Sequence, residues 1–194
     1  MMADDVVDVV YFPVTADIAN VVRLSDGSAG MATTVGRDGL TGLAAFLANE
    51  RLGWDIQVQI GGYGWCLDAR LLRKQADASP ALSDLLMRLT HKNQVEAARN
   101  AVCNLRHPVT QRLARWLLTT QDRTGLSEFL MTQDELAALL GVRRTTMVMS
   151  CRELVAHEAI ANRRGRVRVL SRKALKAQTC DCYAATARTA GDVA

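Results

Sequence analysis

The chain changes its hydrophobic rhythm near residue 68. Before that point apolar positions come in short, β-branched runs broken by Gly, Pro and Asp; after it they recur three and four residues apart, as on one helix face. Residues 6–12 are rich in Val, Tyr and Phe and stop at Pro13, which predicts a first strand. Residues 20–24 and 31–35 flank Asp26-Gly27, a dipeptide suited to a tight hairpin turn. Trp54, Ile56, Val58 and Ile60 alternate with Asp55, Gln57 and Gln59, the period of a half-buried strand. Residues 65–67 predict a last short strand beyond the Gly61-Gly62-Tyr63-Gly64 turn, and residues 40–49, small and apolar, predict a helix set into this compact antiparallel sheet.

Helices follow. Residues 68–76 predict a short one, and Ser79-Pro80 opens a long one that nothing breaks until about residue 103. Leu82, Leu85, Leu86 and Leu89 form one stripe on it; Val95, Ala98, Val102 and Leu105 continue on a rotated face. Two apolar faces call for two neighbours, one within the chain and one from a second copy, so the long helix predicts a homodimer. Asn93 and Asn100 fall near that seam, where a polar side chain can set register. His107-Pro108 marks a hinge-like break, because the residue before proline disfavours the α region. Residues 109–122 resume as a helix with Leu113, Trp116, Leu117 and Leu118 inward, and residues 126–130 read as a connector.

The next stretch carries the chemistry. Thr132 can cap a helix over residues 133–140 while Glu135 bonds back to the cap, a capping box. Gly141 supplies the positive φ for a tight turn into a second helix over about 143–157, with Met147, Cys151 and Leu154 spaced for burial. Arg143, Arg144, Thr145, Val148, Met149 and Arg152 lie off that stripe. Two helices joined by a glycine turn, the second with basic residues at its start, make a helix-turn-helix whose second helix can enter a major groove. Arg144 can bond bidentately to guanine, and apolar groups can touch a thymine methyl. Residues 160–163 and 166–170 flank Arg164-Gly165 as a hairpin bearing Arg163, Arg164, Arg166 and Arg168, with no acidic residue between 159 and 176. Such a basic wing supplies phosphate contacts, which give affinity and register rather than sequence information.

Charge sharpens this division. Residues 1–79 carry 6 basic and 10 acidic side chains, a net of −4, whereas residues 80–194 carry 18 basic and 10 acidic ones, a net of +8. The 49% hydrophobic and 23% charged composition suffices for a real core in 194 residues. No apolar run is long enough to span a membrane, and the start MMADDVVDVV is acidic where a signal peptide is basic, so a cytoplasmic protein is expected. The five cysteines (Cys66, Cys103, Cys151, Cys180 and Cys182) are odd in number and scattered, as reduced thiols packed as small hydrophobes would be. Cys180-Asp-Cys182 has no second Cys or His pair beside it in sequence, and His91, His107 and His157 show no ligand spacing. No metal and no cofactor are therefore expected, and residues 179–194 read as a flexible, inert tail.

Thr110-Gln-Arg-Leu-Ala-Arg-Trp-Leu-Leu118, Met131-Thr-Gln-Asp-Glu-Leu-Ala-Ala-Leu-Leu-Gly-Val-Arg-Arg-Thr-Thr146 and the wing at 160–170 resemble the Crp/Fnr (cyclic-AMP receptor and fumarate–nitrate regulator) family of bacterial transcription factors. The likeness is specific over residues 80–176 and looser upstream, at Val9-Val-Tyr-Phe-Pro13 and Val35-Gly-Arg-Asp-Gly-Leu-Thr-Gly42. It implies an α+β fold: a partial, cyclic-nucleotide-binding-like β-roll over 1–79, a dimerisation helix over 80–106 and a winged helix-turn-helix over 107–178. It further implies a homodimer on double-stranded DNA, reading a palindromic operator with half-sites one turn apart, and RNA polymerase as a further partner.

This chain departs from the family at three places. The roll begins late, as if its first strands were missing. The family's phosphate cassette pairs Gly-Glu with Arg-Ser or Arg-Thr, whereas here Leu43 follows Gly42 and Leu52 follows Arg51, so a cyclic nucleotide would lose its main polar anchors. The recognition helix has Arg144-Thr145 where Arg-Glu is frequent and Met149 where a second Arg is, which implies a different half-site. The family's oxygen sensors hold an iron–sulfur centre on N-terminal cysteines, and no Cys precedes Cys66 here. The alternative is an effector-binding or protein-interaction module whose winged helix contacts protein. An enzyme is not expected, because no nucleophile–His–acid spacing, P-loop or dinucleotide glycine motif occurs.

Overall fold

A computed structural model describes residues 1–47 and 51–185. The last residues of the helix expected at 40–49, and residues 186–194 of the expected tail, lie outside the described residues. The order of elements is β1 (Val9–Pro13), β2 (Asp17–Arg23), β3 (Ala29–Val35), α1 (Leu43–Leu47), β4 (Asp55–Ile60), β5 (Gly64–Asp68), α2 (Ala69–Ala78), α3 (Pro80–Arg106), α4 (Val109–Thr124), β6 (Glu128–Leu130), α5 (Gln133–Leu139), α6 (Arg144–Ala156), β7 (Ile160–Arg163), β8 (Arg166–Val169) and α7 (Arg172–Ala177). This is the α+β architecture expected.

The N-terminal strands form two antiparallel sheets, β1-β5 and β3-β2-β4, rather than one. β1 pairs with β5 from Val9↔Asp68 to Pro13↔Gly64. The alternation read in β4 is corrected: Val58 is 64% exposed, whereas Asp55 is only 2% exposed. Two polar partners hold Asp55 inward, since Arg23 Nε bonds it at 2.5 Å and the Ala3 N–H at 2.8 Å.

Two cores result. Val7, Val10, Leu40, Leu43, Leu52, Leu72 and Ala76 pack with Leu86 of α3, so the start of the long helix closes the roll. The larger core gathers Leu113, Trp116, Leu117 and Leu118 of α4 with Leu136, Met147, Cys151, Leu154, Ile160, Val167 and Leu175, and it reaches Ala19, Val21 and Ile60 of the roll. The expected connector at 126–130 contains β6, which joins the wing as the outer strand of a β6-β8-β7 sheet. Phe129, 1% exposed, draws it in against the edge of the Trp116 ring at 6.0 Å.

A buried ionic network stitches the parts together. Arg123 of α4 meets Asp38 (Nε–Oδ1 3.0 Å), Glu96 of α3 (3.3 Å) and Asp17 of β2 (3.8 Å), and its guanidinium donates to Thr34 of β3. Lys92 of α3 bonds Asp38 at 2.7 Å. Three carboxylates thus face two cations inside the protein. Burial pushes Asp17 up to about 6 against the pull of Arg123, and it raises Glu96 too. Asp38, although also desolvated, is held down at about 2 by Arg123 and Lys92.

Candidate nucleic-acid interface

The capping box forms as read. Glu135 N–H donates to Thr132 Oγ1 at 3.2 Å and Thr132 N–H donates to Glu135 Oε2 at 2.6 Å, which fixes the start of α5. Gly141 takes φ 62°, so the chain reverses in one residue and Val142 N–H reaches Ala137 O at 2.9 Å. Arg112 of α4 donates to Leu140 O at 2.5 Å, pinning the turn from behind. The next helix, α6, has Arg143 as its N-cap, and that side chain makes no capping hydrogen bond to the first turn.

Met147, Ser150, Cys151 and Leu154 are the buried face of α6. That orientation leaves Arg143, Arg144, Thr145, Met149 and Arg152 exposed and Val148 half-buried. Met149 is 69% exposed, an apolar side chain in water at the centre of the helix's outer face. Arg143 lines a groove shared with the β2–β3 hairpin, so it stands at the roll side of this face. Arg144 Nη1 is paired with Asp134 Oδ2 at 3.0 Å across the turn, both groups well exposed.

The wing lies beside it. Arg164 (φ 49°) and Gly165 (φ 73°) are the two positive-φ residues of a tight hairpin turn. Arg163 faces Arg166 directly across the strands, a like-charge pair that costs stability unless an anion lies between. Arg166 is partly offset by Glu128 at 2.9 Å. All four wing arginines are exposed, while Val167 and Val169 point into the core.

The residues expected at a dimer seam divide differently. Leu86 is in the roll core with Leu82 and Leu89 packed against it, and Leu85 and Asn93 are half-buried. Asn100 is corrected: it is buried, donates to Ala32 O at 2.7 Å and accepts from Arg115 at 2.6 Å, all within the chain. The uncovered stripe of α3 is instead Met87, His91, Gln94, Ala98, Val102 and Leu105. Sequence periodicity had found Ala98, Val102 and Leu105; the rest of the stripe is hidden in it because its members are not all apolar.

Between the roll and α3 lies a cavity of about 380 Å³ lined by residues such as Asn20, Thr33, Leu43, Trp54, Asn93 and Ala97, with no charged side chain among its described lining. Arg51, the cassette position, turns away and donates to Asp4 O at 2.6 Å.

The tail expectation is corrected for the described part. Cys180 and Cys182 are buried, and with Cys103 and His107 they form a cluster that linear spacing concealed. Tyr183 is likewise tied down, its hydroxyl donating to Asp122 Oδ2 at 2.7 Å.

The described residues thus comprise a β-roll, a long helix and a winged helix-turn-helix with a cationic outer face. Residues 111–178 match the family of Crp-like helix-turn-helix domains. In fold, the chain is similar to FixK2 from Bradyrhizobium japonicum (16% identity, TM-score 0.76, covering 92% of this chain and 91% of that one). It is similar to a CRP-family transcriptional regulator from Thermus thermophilus (16%, 0.73, 91% and 90%). It is also similar to the c-di-GMP-responsive global regulator CLP of Xanthomonas campestris (16%, 0.66, 88% and 88%). No curated protein matches by sequence. Residues 111–178 are thus a Crp-like helix-turn-helix domain, in a chain with the fold of Crp/Fnr-family transcription regulators. Among the described residues, no helix is long and apolar enough to cross a membrane.

Proposed function

We propose that this protein is a transcription regulator that binds double-stranded DNA as a homodimer, reads a palindromic operator with α6 and holds phosphates with its wing. The observation that carries this is the outer face of α6, where Arg144, Thr145, Met149 and Arg152 stand exposed beside the four exposed wing arginines. An exposed arginine and an exposed methionine on adjacent turns suit a guanine edge and a thymine methyl. The wing suits the backbone on either side.

The dimer reading is supported by the uncovered stripe of α3, which repeats at heptad-like spacing along a helix of about 40 Å. A dimer reading a palindrome with half-sites one turn apart needs its two recognition helices roughly 34 Å apart, and a paired α3 is the element that would hold them so. RNA polymerase is the partner such a regulator would meet on DNA. Control by a cyclic nucleotide is not part of the proposal. Among the described residues, the uncharged lining of the cavity and the outward turn of Arg51 offer a cyclic phosphate no cationic partner.

Selection of binding sites from random duplexes, followed by anisotropy titrations over a salt series, tests the reading. A palindromic consensus bound with a steep salt dependence is expected. A salt-independent response, or no selected consensus, would favour a winged helix that contacts protein.

A further inference from the structure

Cys103 occupies the last turn of α3, and His107 caps that helix four residues later. Cys180 and Cys182 follow α7 and return to the same spot from 77 and 75 residues away in sequence. Cys103 Sγ lies 3.7 Å from Cys180 Sγ, and Cys182 Sγ lies 3.7 Å from His107 Nδ1. All four ligand atoms fall within 4.8 Å of one another.

These are the edges of a coordination tetrahedron. Zn–S bonds of about 2.3 Å and Zn–N bonds of about 2.0 Å at the tetrahedral angle place two sulfurs about 3.8 Å apart and a sulfur and a nitrogen about 3.5 Å apart. A disulfide needs about 2.05 Å, so the thiols are close without being bonded. The four atoms are also too closely gathered for a polynuclear cluster, whose ligands surround several metal ions.

We propose that Cys103, His107, Cys180 and Cys182 bind one zinc-like divalent cation in a closed, four-coordinate Cys3His site.

Its surroundings fit. His107 turns Nδ1 inward and leaves Nε2 3.6 Å from Asp181 Oδ1, the carboxylate partner that orients a ligating imidazole. Three thiolates around a dication leave one net negative charge, which the closed, nearly sealed pocket has to accommodate. The three cysteines are nearly sealed from solvent, at 0%, 6% and 9% exposure, as a structural site requires and a metal-exchange surface does not.

The site's position gives it a consequence. It ties the segment after the winged helix to the end of α3, across the His107–Pro108 junction where the two helices part. A bound cation would lock that junction and so fix the angle between the long helix and the reading head. This consequence rests on the DNA-binding reading; the metal site itself does not.

The experiment uses the full-length reduced protein. Metal content is measured by mass spectrometry after purification, and Co2+ titration of the metal-stripped chain follows the absorption of tetrahedral thiolate coordination. About one zinc or cobalt per chain is expected for the unaltered protein and for Cys66→Ser, with zinc displacing cobalt. Cys103→Ser, His107→Ala and Cys182→Ser should each weaken cobalt binding at least tenfold, and Asp181→Asn by roughly tenfold. The unaltered protein decides the matter even where a variant does not fold. Uptake far below one equivalent, an octahedral cobalt spectrum, more than one iron per chain, or a Cys103–Cys180 disulfide in the native state would each overturn the proposal. Operator binding measured with and without the cation is a separate readout, so a failure of DNA recognition leaves the metal result intact.

Discussion

Replacing Asp17 by Asn isolates an electrostatic cost buried where the roll, the long helix and the winged helix meet. Asp17 is fully buried, with Arg123, Thr120, Asp38 and Glu96 as the charged and polar groups acting on it. Its folded-state pKa stands at about 6 against 3.8 for the free side chain, because burial outweighs Arg123 at 3.8 Å. A folded pKa above the unfolded one means stability that is complete below about pH 4 and lost as pH rises through 6. A gap of that size makes ionised Asp17 cost about 3 kcal/mol by pH 7.5 but only about 1 kcal/mol at pH 4.5. Asn cannot ionise, yet its carbonyl can still accept the Thr120 hydroxyl, now 2.9 Å from Asp17 Oδ2. Relative to the unaltered protein, Asp17→Asn should therefore be about 2 kcal/mol more favourable at pH 7.5 than at pH 4.5, whatever constant cost the amide adds. That corresponds to a melting-temperature difference of about 4–8 °C, read by circular dichroism at the two pH values. Parallel pH profiles for the two proteins would refute the reasoning, since they would mean that Arg123 already holds Asp17 ionised in the fold.

Arg144→Ala should cost about 1–3 kcal/mol per half-site on the selected operator and relax specificity at one base pair, as measured by anisotropy on operator variants; equal losses on operator and random duplexes would deny base readout there. Asp134→Ala frees Arg144 from its exposed pair and should change operator affinity by no more than about 1 kcal/mol, in the tighter direction. Arg164→Ala should weaken all duplexes alike and lower the slope of log affinity against log salt by about 1 per protomer. Leu105→Arg, at 84% exposure on the uncovered stripe, should leave the monomer's fold intact and weaken dimerisation by about 2 kcal/mol per chain in sedimentation equilibrium; an unchanged dissociation constant would place the seam elsewhere.

Local rules settled much of this protein from the chain alone. The capping box at Thr132 and Glu135, the reversal at Gly141, the Arg164-Gly165 turn and the buried stripe of α6 each depend on residues within a few positions, so spacing suffices to read them. The exposure of Arg166 and Arg168 follows as well, because alternating Val167 and Val169 leave them no other face. What local pattern could not decide was partnership at a distance. Nothing in the local pattern marks Lys92, Glu96 and Arg123 for burial; Asp17 and Asp38 arrive from the roll to meet them. Asn100 reads as a seam residue until Ala32 and Arg115 claim it. Asp55 turns inward at the start of β4 because Arg23 and the Ala3 amide lie there to meet it. Cys103, His107, Cys180 and Cys182 have no ligand spacing in one dimension, since α7 and the end of α3 come together only when the domain packs. Charges and ligands act through space over a few ångströms, and only the tertiary fold chooses which ones share that space.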